Sequence, residues 1–258
     1  MSKIVVIGGG EMGNFETLPF DKRIVELTQK KHPKALFIPT ASGEPERYIR
    51  NFQKVYGSKL GCETDTLYLL KTKPTTEELR KKILSSDLIY VGGGNTLHMM
   101  KVWRSLGVDT ILKEAYKKGI VLSGISAGGI CWFDSGHSDS MSFSSPTDWK
   151  YINVKGLGIV KGIHCPHFNG GTTRNGRRIL RRSDFKVFMK KYSSVGIAVD
   201  NNCAIEFDDT KFKVLSSKEN RKAYKVYWEK GMYRQIEMKP SEEFLPLQIL
   251  SEKGSGMA

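Results

Sequence analysis

The stretch Val121-Leu122-Ser123-Gly124-Ile125-Ser126-Ala127-Gly128-Gly129-Ile130-Cys131-Trp132 decides how this chain is to be read. An apolar run of strand character enters Gly124-Ile125-Ser126-Ala127-Gly128, a G-x-S-x-G motif, and a helix-compatible segment leaves it. That is the setting of a nucleophile elbow, where a strand turns sharply into a helix and holds a serine in a strained backbone conformation. Side chains would collide at such a turn, and Gly124, Ala127, Gly128 and Gly129 keep it small. The amides and positive dipole end of the following helix would face negative charge developing on a substrate oxygen. A chain with 26 glycines also produces G-x-S-x-G by chance. The strand before it and the helix after it favour Ser126 as a nucleophile.

Around this motif the first 135 residues alternate short apolar runs with helical periodicity, the pattern of a parallel sheet covered by helices. Ile4–Ile7, Ala35–Pro39, Cys62–Leu70, Asp87–Val91 and Ile120–Leu122 read as strands. Thr75-Thr76-Glu77-Glu78 offers a capping box ahead of a helix through Leu79 and Ile83, and further helices are expected over Leu97 to Trp103 and about Thr110 to Lys118. Beyond residue 150 the texture becomes strand-rich, with short runs at Gly158–His164, Gly196–Val199, Ala204–Phe207 and Lys213–Leu215. No linker or repeat divides the two halves, so we expect one α/β domain over residues 1–258, with a mobile tail at about 253–258.

Composition narrows the function classes. No apolar stretch approaches the roughly 18 residues that span a bilayer, and Met-Ser-Lys leads straight into a strand without a signal-peptide pattern. We therefore expect a cytoplasmic protein with no membrane association. The four cysteines lack the close spacing of a zinc knuckle or redox pair. The formal charge of +14 invites a nucleic-acid reading, but the one dense basic region, Arg174 to Lys191, interleaves apolar residues. If Ser183 caps a helix there, Phe185, Phe188, Met189 and Tyr192 share one face and the lysines take the other, a solvated helix face rather than a nucleic-acid surface.

A serine nucleophile needs a base. Of five histidines, His32 precedes a proline at a helix end and His98 lies early in a helix, which leaves His137, His164 and His167. Gly162-Ile163-His164-Cys165-Pro166-His167-Phe168-Asn169 follows a strand and enters a loop, a suitable route for a base reaching the elbow. His164 and His167 could instead ligate a metal, yet no motif completes a ligand set and none is expected. The base in turn needs an orienting acid. Between Ser126 and His167 the acids are Asp134, Asp139 and Asp148; Asp139 stands first, ahead of Asp134. A second glycine loop, Gly92-Gly93-Gly94-Asn95-Thr96, follows the strand before the elbow and could lend a Gly93 or Gly94 amide to an oxyanion hole with that of Ala127. Asn95 is a candidate substrate contact in the same loop.

Taken together, Gly92–Leu97 (GGGNTL), Gly124–Gly129 (GISAGG) and Pro166–Phe168 (PHF), in that order, resemble the peptidase E family, the aspartyl dipeptidase group of serine hydrolases, with its cyanophycinase relatives. The resemblance covers about the first 200 residues. It implies a glutamine-amidotransferase-like, three-layer αβα sandwich with a mostly parallel central sheet and a strand-rich C-terminal part. It also implies Ser126 as nucleophile, His167 as base, an oxyanion hole from the glycine loop and Ala127, and no cofactor. In peptidase E proper the triad acid lies slightly farther past the serine, where this chain has Met141. The family preference for an N-terminal aspartate implies a basic pocket, for which Arg174, Arg177 and Arg178 are candidates by bidentate carboxylate pairing. The expectation is a serine peptidase for small peptides, Asp-Xaa dipeptides first, in a possible homodimer. A hydrolase of Asp-Arg polymer, or a non-catalytic module binding an anion or nucleic acid, are the alternatives.

The opening run Gly8-Gly9-Gly10-Glu11-Met12-Gly13 fits the G-x-G-x-x-G spacing of a dinucleotide site. Such a site expects an acid at the end of the second strand, where Pro39-Thr40-Ala41-Ser42 stands instead, and a helix opening directly from the glycines, which Phe15 to Pro19 delay. We read this run as the first βα turn of the sheet, along one wall of the cleft served by Ser126.

Overall fold

A computed structural model describes residues 2–174 and 177–254; the side chains of Arg174 and Arg177, and the expected tail from residue 255 on, lie outside the described residues. Its first half is β1 (Lys3–Ile7), α1 (Leu18–Glu26), β2 (Lys34–Ile38), α2 (Glu46–Phe52), β3 (Glu63–Thr66), α3 (Thr76–Leu84), β4 (Leu88–Val91), α4 (Thr96–Leu106), α5 (Val108–Lys117) and β5 (Val121–Ile125). These five strands form the parallel part of one sheet, in the order β1-β5-β4-β2-β3. β1, β4 and β5 are buried at nearly every residue, as expected of strands covered on both faces. The third strand is shorter than its apolar run suggests, because only Glu63–Thr66 pairs with β2.

From α6 (Ala127–Ile130) onward the chain makes β6 (Phe133–Ser138), β7 (Ile152–Lys155), β8 (Val160–Cys165), β9 (Gly171–Arg174), β10 (Arg177–Leu180), α7 (Arg181–Met189), β11 (Gly196–Val199), β12 (Cys203–Asp208), β13 (Lys211–Ser216), β14 (Ala223–Glu229), β15 (Met232–Met238), β16 (Leu245–Pro246) and α8 (Gln248–Ser251). β12, β13 and β16 extend the first sheet antiparallel from β1. The others, apart from the β9–β10 hairpin, build a second, six-stranded sheet in the order β15-β14-β11-β8-β6-β7. The fold is thus mixed α/β, with two large sheets and the small β9–β10 hairpin. One apolar core runs through both, from Ile4, Leu36 and Leu122 to Phe133, Ile197 and Val199, and includes the fully buried Trp103 and Trp132. Truncating either tryptophan to alanine would cost about 3–5 kcal/mol.

The expected capping box of α3 is present, with Thr75 and Glu78 bonded reciprocally. α7 starts earlier than expected: Leu180 is its N-cap, and Ser183 lies inside the first turn. Its apolar face forms as anticipated, with Phe185 and Met189 buried. Lys186 of α7 lies over the Tyr233 ring and Lys190, its C-cap, over Trp228. Among the described residues no helix is long and apolar enough to cross a membrane.

Parallel strands deliver their following loops to one edge. In the first sheet that edge carries Gly8 after β1, Gly92 after β4 and Ser126 after β5. In the second, β8 and β11 are parallel neighbours, paired at His164 and Ile197, so the loops after them emerge side by side.

Candidate active site

Ser126 follows β5 directly and has φ 56° and ψ −113°, a conformation that side chains adopt only under constraint. Three backbone bonds hold it there. Its amide donates to the Ile7 carbonyl at 3.1 Å, and its carbonyl accepts from the amides of Gly129 and Ile130, both at 2.9 Å. The turn also requires α6 to press against the sheet: a Cβ on Gly128 would lie 2.1 Å from the Val91 carbonyl oxygen. The Ala127 amide opens α6, where helical N–H groups have no partner within the helix. Gly93 lies against Ser126, its Cβ position 3.3 Å from that of the serine, and its amide faces the Tyr48 hydroxyl at 3.4 Å. Gly94 packs instead against the Ala41 carbonyl, and Asn95 is the N-cap of α4, its side-chain oxygen accepting from the His98 amide at 3.0 Å.

His167 comes from the loop after β8. Its amide donates to the Gly8 carbonyl at 3.0 Å, and the next residue, Phe168, donates to the Val199 carbonyl at 3.0 Å, so the loop is stitched to both sheets. Nε2 of His167 lies 2.8 Å from Oγ of Ser126. On the other side of the ring, Nδ1 lies 2.5 Å from Oδ1 of Asn201, which follows β11 by two residues. The backbone N–H of Asn201 in turn donates to Oδ1 of Asn169 at 2.8 Å. An amide oxygen can only accept, so Nδ1 carries the hydrogen and Nε2 presents its lone pair to the serine hydroxyl. Burial pulls the imidazole down to about 4, helped by the positive charge of Arg181 and opposed by the Asn201 hydrogen bond and by Asp139. At neutral pH the ring is therefore uncharged and able to take a proton.

The opening glycine run supports this pair from beneath. A Cβ on Gly9 would sit 2.0 Å from Oδ1 of Asn201 and 2.3 Å from Nδ1 of His167, so only glycine fits. Gly8 and Gly9 also bond the Cys203 and Asn202 backbone, at 2.9 and 2.7 Å. The run is a wall of the site and holds no helix N-terminus toward a pyrophosphate. Gly10 and Glu11, with Arg47, Tyr48 and Asn51 of α2, Gly93, Ser126 and His167, line a cleft of about 490 Å³.

Asp139 does not face His167. Its carboxylate takes Nη1 of Arg181 at 3.3 Å, while Nη2 of the same arginine donates to the His137 carbonyl at 2.5 Å. β6 runs into the second sheet and delivers Asp139 beside α7, and the Nδ1 position that an orienting acid would fill belongs to Asn201. Asp134 is also engaged elsewhere, accepting from the Gly162 amide at 2.9 Å, and Asp148 is exposed. His164 donates from Nδ1 to the Ile197 carbonyl at 2.9 Å and stacks on Phe133; His137 bonds Asp184 at 2.8 Å and stacks on Tyr151. Arg178 lies exposed on the β9–β10 hairpin and is absent from the cleft walls, and the side chains of Arg174 and Arg177 lie outside the described residues. Asn201 is uncharged and lies beyond His167, so it is no candidate for an acid between Ser126 and His167. The polar run Asp200-Asn201-Asn202 directly after an apolar strand was its one local signal.

A strained serine at a strand-to-helix turn, bonded to a neutral histidine beside helix-opening amides, defines a serine-type peptidase when set on this fold. The chain belongs to peptidase family S51, whose model matches residues 4–215. It is 35% identical over 228 residues to Uncharacterized peptidase YgaJ of Bacillus subtilis (strain 168), across 88% of this chain and 92% of that protein. Uncharacterized peptidase Lin0382 of Listeria innocua matches 137 residues at 30% identity, 52% of this chain and 63% of the relative. Among solved structures, a peptidase from an acI-B1 Actinobacterium superposes with a TM-score of 0.70 at 20% identity, covering 95% of this chain and 97% of its own. A putative peptidase E protein from Listeria monocytogenes EGD-e gives 0.61 at 20% identity, covering 84% and 98%. These two likenesses concern the fold.

Proposed function

We propose that this chain hydrolyses small peptides, Asp-Xaa dipeptides first, by acyl transfer through Ser126. The observation that carries the reading is the 2.8 Å contact between His167 Nε2 and the hydroxyl of a serine held at positive φ. Nε2 takes the hydroxyl proton as Oγ attacks the scissile carbonyl, and the amides of Gly93 and Ala127 bind the resulting oxyanion. The imidazolium then gives its proton to the leaving amine. Water, deprotonated by the same nitrogen, attacks the acyl-serine and releases the acid. Asn201 takes the orienting place first assigned to Asp139: it fixes the tautomer through its oxygen without adding a negative charge.

Incubating wild type and Ser126→Ala with aspartyl dipeptides tests the reading. Hydrolysis by the wild type alone, with Ser126 labelled by a serine-directed phosphonate, is the expected result. Equal hydrolysis by both proteins would sink it.

A further inference from the structure

Among the described residues the cleft beside Ser126 carries one guanidinium, Arg47, and one carboxylate, Glu11, and they stand on different elements. Arg47, Tyr48 and Asn51 of α2 all line it, with Asn51 three residues from Tyr48 and four from Arg47 and so a neighbour of both on the helix surface. All three offer hydrogen-bond donors. The Tyr48 ring is fixed edge-on against Phe37, with centroids 5.0 Å apart, and its hydroxyl lies 3.4 Å from the Gly93 amide. Burial keeps that phenol protonated, so it can donate. Arg47 has no carboxylate partner among the described residues. An exposed guanidinium left unpaired at the mouth of a cleft, beside a phenol and an amide, is arranged to receive a planar carboxylate.

Glu11 belongs to the glycine loop after β1. Its Oε1 accepts only a long bond, 3.3 Å, from the Gly13 amide, and its charge is felt at the Tyr48 phenol. The cleft thus joins a negative group on the β1 loop and the donors of α2 to the nucleophile in one set of walls. We propose that this pair reads the N-terminal residue of the substrate at both ends: Arg47, with Tyr48 and Asn51, takes a short acidic side chain, and Glu11 takes the free α-ammonium. The inference rests on the Ser126 cleft being a peptidase site, and it moves acid recognition from the hairpin arginines Arg174, Arg177 and Arg178 to α2. It also makes the activity dependent on a free amino terminus, since an acylated one would leave Glu11 desolvated and unpaired.

Selectivity ratios test it, because they cancel general losses of catalytic power. For each protein the kcat/KM of Asp-Leu is divided by that of Asn-Leu, which differs by one charge, and by that of N-acetyl-Asp-Leu. Arg47→Met should collapse the first ratio by about 10- to 100-fold and Glu11→Gln the second by a similar factor, the size of a lost charge-assisted hydrogen bond. A first ratio unchanged in Arg47→Met, or a second unchanged in Glu11→Gln, overturns the assignment while leaving the peptidase reading intact. Should wild type cleave none of these peptides, calorimetry on Ser126→Ala with L-aspartate decides separately: binding that Arg47→Met and Glu11→Gln each abolish in that background supports the site, and no binding overturns it.

Discussion

Two histidines in this molecule each sit between a nucleophilic atom and an orienting group, and only one of them faces a cleft. His137 accepts from the Cys165 thiol, 3.7 Å from its Nδ1, and its Nε2 lies 2.8 Å from the Asp184 carboxylate. On paper that is the complete order of nucleophile, base and acid. His167 has a hydroxyl and a neutral amide instead. Yet Cys165 is wholly buried and its thiol is pushed up to about 12 by burial, so it stays protonated and out of reach. Ser126 has strain, helix-opening amides and an open cleft. What separates a reactive constellation from a structural one here is access and electrostatic preparation around the nucleophile, more than the acidity of the third group.

The largest test of that contrast is Ser126→Ala, expected to lower kcat by roughly 10,000-fold or more against an Asp-Xaa peptide. Next comes the third member. Asn201→Ala frees the imidazole to rotate and to adopt the other tautomer, and should lower kcat on the order of 100-fold in steady-state assays. Gly9→Ala should do comparable harm without touching either partner chemically, because its methyl would occupy the space of the His167–Asn201 contact. If Asn201→Ala turns over at the wild-type rate, the amide is a bystander and the comparison with Asp184 loses its point.

How much of this was legible beforehand depends on how local each signal is. The elbow at Ser126 is written in consecutive residues, and so are the parallel strands that lead to it. Position and spacing leave three histidines and the Pro166–Phe168 resemblance points to His167, but its route to Ser126 runs through β8 and β11 lying parallel in a second sheet, which short, turn-separated strands do not announce. Asn201 lies 34 residues past His167 and carries no charge, so no rule that looks for an acid finds it. Asp139 stands between serine and histidine in sequence, but β6 carries it to Arg181. The cleft walls of α2 were illegible for a different reason: Arg47 and Tyr48 become neighbours of Ser126 only through the order β1-β5-β4-β2.

A neutral third group also has a signature in pH. With His167 held down to about 4, kcat/KM should stay level from neutral pH to about pH 5 and fall as the ring protonates near pH 4. Asn201→Asp places a carboxylate against Nδ1, favours the charged ring and should move that acid limb upward, which a pH–rate profile resolves. Stability follows the same sign. His137, His164 and His167 all bind protons less readily folded, at about 4, 3 and 4, than at the ordinary 6.5. Their contribution is full above pH 6.5 and is lost as pH falls toward 4. Buried Asp21, raised to about 7, opposes them: its contribution is full below its ordinary 3.8 and lost as pH rises through 7. Three groups outweigh one, so urea midpoints should rise between pH 4 and 6.5, and more steeply in Asp21→Asn.

The smallest expected effect on turnover belongs to the sealed constellation. Cys165→Ala removes a thiol that touches His137 and the Pro166 carbonyl, two residues before His167 in the chain. Were Cys165 a second nucleophile, its loss would cut activity on some substrate as deeply as Ser126→Ala does. As a buried packing group it should leave kcat within about threefold, and the cost should appear as about 1–2 kcal/mol of stability from the unfilled volume. His167 is held independently of the thiol, by the Gly8 carbonyl, Asn201 and Ser126, which is why Cys165 and His167 can stand two residues apart and belong to different constellations. A Cys165→Ala enzyme with wild-type unfolding midpoint and lost turnover would reverse this division between the two sites.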